Sequence, residues 1–432
     1  MTAPHLSLPV DETSRVGLEA EGLVFRVVDT SDSADHMAWS DAVTRGFLGA
    51  VAPATETEAR RAYVQDDRLV GVYDPSAALH AEPVATTHCW PAELTLPGGR
   101  PVTAWAVSGV TVAQTHRRRG IARALMEAEL RTASALGLPL AMLTVSESTI
   151  YGRFGYSPAA LARDLTISTR RVRWTGPGRT GRIHHVTGEQ LRHEGHAIVE
   201  RVRATTPGEV SYSGTGHLWL RQIGLGVNDE NAKNLKIVRH DDAEGVAQGF
   251  AVYQLVENPA DFTDHELKVH QLVAATTDAY ASLWRFLLEM DLVSKVTAHL
   301  RPVDEPLRWM IDDFRAVHVD ECDHLWIRVL DVPTVLEART FGVADRLVLR
   351  IDDALGHAAG TWLLDTDTSG RATVTPTDEP VEATLSVNAL GSLLLGTVPA
   401  ATLVAAGSVQ GDATRLDDLF RSTVQPFCST WF

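Results

Sequence analysis

Two kinds of hydrophobic spacing alternate along the chain. Residues 23–28, 68–73, 83–90 and 102–112 are β-prone runs set off by turn signals such as Asp66-Asp67 and the "LPGGR" of residues 96–100, and each reads as a strand. Residues 37–47 read as a helix. From residue 121 the spacing of "IARALMEAELRTASALG" is again helical, until Gly137 and Pro139 stop it. Strand-like "LAMLTV" (140–145) and "ARDLTIST" (162–169) follow. Antiparallel strands leading into strand–loop–helix–strand predict a βαβ crossover within an α+β fold. The first 22 residues show neither spacing and are expected to form an irregular tail.

The rhythm then repeats. After a Gly-, Arg- and Pro-rich linker, "RRVRWTGPGRTGR" (170–182), residues 234–240, 246–257 and 265–276 read as strands, 278–291 as a helix and 293–300 as the next strand. The same β–α–β order predicts a second copy of the fold. Its strand and helix are joined by "AATTDAY" (274–280), without a basic, glycine-containing loop. From about residue 319 a small α+β module is expected. It has a strand and helix over 325–339, strands near 345–353, 360–367, 371–378 and 383–389, and helices at 387–396 and 413–421. The divisions expected are thus 1–22, 23–170, 171–318 and 319–432.

Composition narrows the function. A chain of 432 residues is too long for one core. Its net charge of −16 argues against nucleic acid as the main partner, which wants a basic surface, and favours cationic ligands. Cys89, Cys322 and Cys428 are few and scattered, so neither a disulfide framework nor a metal site is expected, and a reducing cytoplasm fits. No apolar run reaches the length of a membrane span. The nearest, residues 390–407, contains glycine, serine, threonine and proline and predicts a buried helix–turn–helix. The N-terminus lacks the pattern of a signal peptide.

The sharpest local signal is "VTVAQTHRRRGIARALM", where Arg117-x-x-Gly120-x-Ala122 joins a strand to a helix. Amides at a helix start have no intrahelical partner, and the helix dipole is positive there, so a pyrophosphate can accept from several of them. Gly120 permits close approach, Ala122 leaves the cradle open, and Arg117, Arg118 and Arg119 add charge-assisted contacts. Cations at that end oppose the dipole, which makes sense only with an anion present.

This R-x-x-G-x-A loop resembles the acetyl-coenzyme A loop of the GNAT N-acetyltransferases. "SESTIYGRFGYSP" resembles the Tyr-x-x-x-Gly-[Phe/Tyr] segment of that superfamily, with Tyr151, Gly155 and Tyr156 in register. Together with the aromatic end "QPFCSTWF", these motifs resemble the Eis family of multi-acetylating aminoglycoside N-acetyltransferases. The resemblance implies tandem GNAT folds, the second degenerate, followed by a domain like the sterol carrier proteins. It implies acetyl-CoA as co-substrate, with the backbone of Val110 and Val112 pairing with the pantetheine arm and thioester carbonyl. Arg117, Arg118, Gly120 and Ile121 would form the pyrophosphate loop, and Ser146 and Arg153 would fall on the cofactor side. Tyr151 would be the general acid, and the Phe432 carboxylate the general base. A homohexamer is also implied.

Acetyl transfer from a thioester to an amine requires deprotonation, proximity, an oxyanion donor and protonation of the leaving thiolate. The Val110 amide can serve the oxyanion and Tyr151 the thiolate. An α-carboxyl titrates near about 3.3–3.7 and matches an alkylammonium poorly, so the Phe432 carboxylate serves mainly to bind and orient the cation unless its surroundings raise its pKa. Expected acceptors are aminoglycosides, polyamines, lysine side chains or a small amine metabolite. Trp431 and Gly49 stand where acids are expected from the resemblance, with Glu56 or Glu58 as possible substitutes. Cys428 is expected to serve packing; the "HEGH" of residues 193–196 lacks the spacing of a zinc helix and reads as polar surface, and the "GLG" of residues 224–226 has no basic companion. A reading of another class is a non-catalytic binder of lipid or acyl ligands.

Overall fold

Among the residues that the computed structural model describes (3–212, 219, 222–226 and 232–432), seventeen strands form two sheets. The larger sheet is built from β1 (Val24–Val27), β2 (Arg68–Tyr73), β3 (Ala85–Thr95), β4 (Pro101–Val112), β5 (Leu140–Thr144), β6 (Ser157–Ser168), β7 (Arg182–His185), β8 (Leu235–Asp241), β9 (Ala247–Val256), β10 (His265–Ala274), β11 (Val293–Arg301) and β12 (Val317–Val329). Its order is β1-β2-β3-β4-β5-β12-β6-β11-β10-β9-β8-β7. Each half carries one parallel pair, β4–β5 and β10–β11, joined by the crossover helices Ile121–Ala135 and Thr277–Leu288. The two βαβ units expected from the spacing are therefore present.

One strand ties the halves together. β12 runs antiparallel to β6 from Val317↔Ile167 to Ile327↔Ser157, while its far end also pairs with β5 from Leu325↔Thr144 to Val329↔Leu140. The C-terminal half of β6, Arg163 to Ser168, pairs in turn with β11. The last strand of the second unit thus fills the gap between the strands of the first, and the two units share a continuous sheet.

The second sheet, ordered β15-β14-β13-β16-β17, comprises β13 (Asp345–Asp352), β14 (Gly360–Thr366), β15 (Ala372–Pro376), β16 (Ala383–Ser386) and β17 (Val409–Gln410). Helix Val387–Leu394 is buried on nearly every side against β6 and β12. A Cβ on Gly391 would lie 2.8 Å from the Ile327 carbonyl oxygen, so only glycine allows this approach. The expected helix–turn–helix is present, but its second helix, Ala400–Ala405, is buried only at Ala400. Two arginines lock the module in place. Arg328 of β12 is fully buried on Asp353 at 2.7 Å, and Arg339 donates to the carbonyls of Leu393, Leu394 and Phe420.

The N-terminal residues are not the irregular tail expected. Helix Glu12–Ala20 starts at Asp11, whose carboxylate accepts from the Ser14 amide and pairs with Arg131 of the crossover helix at 2.9 Å. Its Ser14 hydroxyl donates to the Ala124 carbonyl, and Leu18 is buried against β1 and β2. A single cap and one buried leucine suffice because the crossover helix supplies the other contacts.

Candidate active site

β4 and β5 pair only from Ala104↔Leu140 to Ala106↔Met142, and then they diverge. Leu143 and Thr144 pair instead with β12, so β4 continues from Val107 without a β5 neighbour. Against β3, the register passes from Thr86↔Thr111 to His88↔Ser108, which puts one extra residue on β4. This bulge contains Gly109 at φ +57°. Bulges re-aim backbone groups away from the ladder. The mouth of the splay opens onto a cavity of about 430 Å³, lined among others by Trp39, His88, Val110, Ser146, Tyr151 and Phe432.

Beyond β4 the chain enters the basic loop. His116 is held by Asp74 at 3.0 Å, Arg118 takes a positive φ of 64° and Gly120 one of 78°. Gly120 precedes helix Ile121–Ala135, and no side chain caps the helix start. A Cβ built on Gly120 meets nothing within 4 Å, so the left-handed conformation, not crowding, demands glycine. Arg117 and Arg118 are exposed and form no ion pair among the described residues, while Arg119 reaches the Glu21 carbonyl at 3.2 Å. Ile121 is packed into the core, so only its amide can face a ligand; Ala122 is half-buried. The open amides and unpaired cations suit a pyrophosphate.

Tyr151 ends the short helix Ser148–Tyr151 and is 8% exposed, with its ring 6.2 Å from that of Tyr156. Burial, and after it Glu147, push its hydroxyl above the usual phenol range, so it keeps its proton at neutral pH. The glycine of the Tyr-x-x-x-Gly segment has a steric reason. Gly155 has φ +87°, and its Cβ would fall 2.5 Å from Arg328 Nε. Ser146 lies in the cavity wall with Tyr151, whereas Arg153 lines a separate cleft of about 780 Å³ beside Arg350 and Asn388. Val112 continues β4 towards the loop and is half-buried.

The C-terminal segment reaches this cavity through both units. The Phe427 amide donates to the Pro207 carbonyl at 2.8 Å, and a Cβ on Gly208 would clash with the Phe427 backbone. The Ser429 amide and hydroxyl donate to Glu209 at 3.2 and 3.0 Å, and its carbonyl accepts from Gln222. Tyr212 binds the Thr430 hydroxyl, His324 donates from Nε2 to the Thr430 carbonyl at 2.9 Å, and the Phe432 amide donates to Thr144 Oγ1 at 3.0 Å. Phe432 is 6% exposed, with its ring 5.5 Å from Trp90. Burial raises Glu209 to about 7 and lowers His324 to about 4, so the imidazole is neutral at neutral pH.

Sequence spacing did not single out these tail anchors, nor His36, Trp39 and His88 in the cavity wall, because each comes from a different element. Trp431 lies against the cavity and tilts onto His324 at 5.1 Å. Glu56 and Glu58 are paired with Arg60 and Arg61, and neither lines the cavity. Gly49 lies outside the lining, its missing Cβ facing Thr44. Cys428 is buried and its thiol is pushed far up by burial, which suits packing. His193 and His196 lie on helix Gly188–Arg203, and no cluster able to hold a metal occurs among the described residues.

Comparison with known proteins gives three domain matches. Residues 28–159 and 215–329 each match an acetyltransferase (GNAT) domain family, and residues 332–429 match the sterol carrier protein domain. The N-acetyltransferase Eis of Mycobacterium tuberculosis is 34% identical over 398 residues, spanning 88% of this chain and 92% of that protein. An uncharacterized N-acetyltransferase of Streptomyces avermitilis is 34% identical over 420 residues, spanning 94% and 98%. The crystal structure of Eis1 from Mycobacterium abscessus superposes with a TM-score of 0.79 at 29% identity, covering 94% of this chain and 100% of that one.

Proposed function

The chain belongs to the Eis family of GNAT N-acetyltransferases, and from that premise we propose that it moves the acetyl group of acetyl-CoA to a primary amine in the cavity at the β4–β5 splay. Acetyl-CoA supplies an activated acyl group as its thioester. The observation that carries the reading is the convergence of Val110, Tyr151 and Phe432 on one cavity. Arg117, Arg118 and the amides after Gly120 hold the pyrophosphate, with Ser146 nearby. Val112 guides the pantetheine arm, and the Val110 amide receives the developing oxyanion. Tyr151 protonates the departing thiolate, and the Phe432 carboxylate receives and orients the acceptor's ammonium group. Arg153 contributes from the neighbouring cleft. Membership of an enzyme family sets aside the reading as a lipid carrier without catalysis.

For the acceptor, the family resemblance favours an aminoglycoside acetylated at several amines. The cavity lining favours a second reading. Among the described residues it contains no Asp or Glu side chain, so a polycation would meet one carboxylate, that of Phe432. A lysine side chain or a small metabolite with a single ammonium suits that lining better. Incubation with acetyl-CoA and either kanamycin or a lysine peptide, followed by mass spectrometry, separates the two. Gain of several acetyl units on the drug supports the first reading; peptide turnover without drug modification supports the second. Acetylation of neither, nor of any amine in a broad panel, overturns the proposal. We further propose a cytoplasmic homohexamer, which light scattering tests.

A further inference from the structure

The cavity wall contains a second ionisable pair that the mechanism above leaves unused. His88 lies on β3, and its Nε2 is 2.8 Å from Oδ2 of Asp67. Asp67 sits in the turn before β2 and is 2% exposed, and among the described residues its carboxylate has no other hydrogen-bond partner. Buried carboxylates are costly unless paired, so this pairing fixes both groups. A carboxylate only accepts; the ring's proton is therefore on Nε2, and the lone pair of the neutral ring is on Nδ1. Nδ1 has no partner among the described residues, and His88 lines the cavity.

The sheet register sets where this ring stands. His88 faces Leu69 on one side and Ser108 on the other, beside the β4 bulge. A Cβ on Gly109 would lie 3.2 Å from the His88 Cβ. Trp90 and Trp39 flank the ring at 4.6 and 6.2 Å, and Trp90 in turn contacts Phe432. The imidazole is thus fixed between the bulge, where the acetyl group is proposed to sit, and the tail.

We propose that His88, oriented by Asp67, is the base that takes the proton from the acceptor ammonium. This rests on the reading of the cavity as the acetyl-transfer site. A base works best when it titrates near the working pH, as imidazoles do between about pH 5 and 8, whereas an α-carboxyl does not. The division of labour follows: the Phe432 carboxylate binds the cation, and His88 Nδ1 accepts its proton. The neutral amine then attacks the thioester carbon. The C–N bond forms as the C–S bond breaks, the thiolate takes a proton from Tyr151, and Tyr151 is reprotonated by the nitrogen as it becomes an amide. One proton per turnover leaves through His88. Asp67 is a positioning residue. The other ionisable groups in or beside this wall are Tyr151, the Phe432 carboxylate, buried His36, which burial keeps neutral, and Arg60, which Glu56 neutralises.

The test is steady-state kinetics of His88→Gln and Asp67→Asn against pH, with acetyl-CoA binding followed by calorimetry. With an alkylamine acceptor at neutral pH, His88→Gln is expected to lower kcat about 10²-fold, with acetyl-CoA affinity unchanged and the acidic limb of the pH profile lost. With trifluoroethylamine, which is unprotonated at that pH, the penalty is expected to shrink severalfold. Asp67→Asn is expected to lower kcat in the same sense, and Asp67→Glu to recover part of it. A normal rate and pH profile in His88→Gln, or an equal penalty for both acceptors, overturns the proposal while leaving acetyl transfer intact. Wild-type protein that acetylates no amine overturns both.

Discussion

The two GNAT units share a strand order but differ at the point where β4 and β10 part from their parallel neighbours. In the first, the splay opens onto the cavity, and the crossover helix begins at Gly120, without a side-chain cap, behind Arg117 and Arg118, which form no ion pair among the described residues. In the second, the Thr276 hydroxyl accepts from the Ala279 amide and closes the helix start. There β10 and β11 pair as far as Val269↔Ala298, and the gap beyond is filled by the protein itself. Arg301 donates to the Leu272 carbonyl at 2.9 Å and pairs with Glu305, which also accepts from Tyr280 and from Trp284 Nε1. The second unit satisfies its helix start and its splay internally. On the proposed reading, a hydroxyl cap and a buried ion pair stand there where the first unit would hold a phosphate and a thioester arm.

Breaking the internal plug should have the largest effect. Arg301→Met leaves Glu305 buried without its cation and is expected to destabilise the chain by about 3–5 kcal/mol in chemical denaturation, with acetyl-CoA affinity unchanged. The converse holds in the first unit. Arg117→Ala with Arg118→Ala is expected to weaken acetyl-CoA binding about 10²-fold by calorimetry, with little change in melting temperature.

The tail, which only the first unit uses to complete its cavity, adds a pH dependence. Burial keeps His324 neutral down to about pH 4, while an imidazole in the unfolded chain takes up its proton near about 6.5. The unfolded state binds more protons in that window, so this residue makes stability fall as pH drops from about 6.5 to 4, by up to about 3 kcal/mol. His324→Asn should flatten this part of the melting-temperature profile. The smallest effect is expected at the second helix start, where Thr276→Ala removes the cap at a cost of about 1 kcal/mol in denaturation, again without altering donor affinity.

Much of this contrast was legible in the sequence, because the basic loop and "AATTDAY" are local features whose chemistry depends on adjacent residues. The repeated β–α–β rhythm gave the tandem architecture for the same reason. The exchange of β12 was not legible, since the spacing marks a strand only from residue 325, assigns it to the last module and names no partner. The pairing of His88 with Asp67 depends on the β2–β3 register, and Asp66-Asp67 read alone is only a turn. The plug around Glu305 joins three elements through single hydrogen bonds that leave no periodic trace. Helix Glu12–Ala20 escaped notice because its stability lies in contacts with residues more than a hundred positions away.

The measurement that bears most directly on the difference between the units is the stoichiometry of acetyl-CoA binding to the intact chain by isothermal titration calorimetry. One donor per chain, with affinity reduced by the Arg117→Ala and Arg118→Ala pair and indifferent to Thr276→Ala, is the predicted result. Two donors per chain, or one whose affinity ignores the arginine pair, would contradict the assignment of donor binding to the first unit alone.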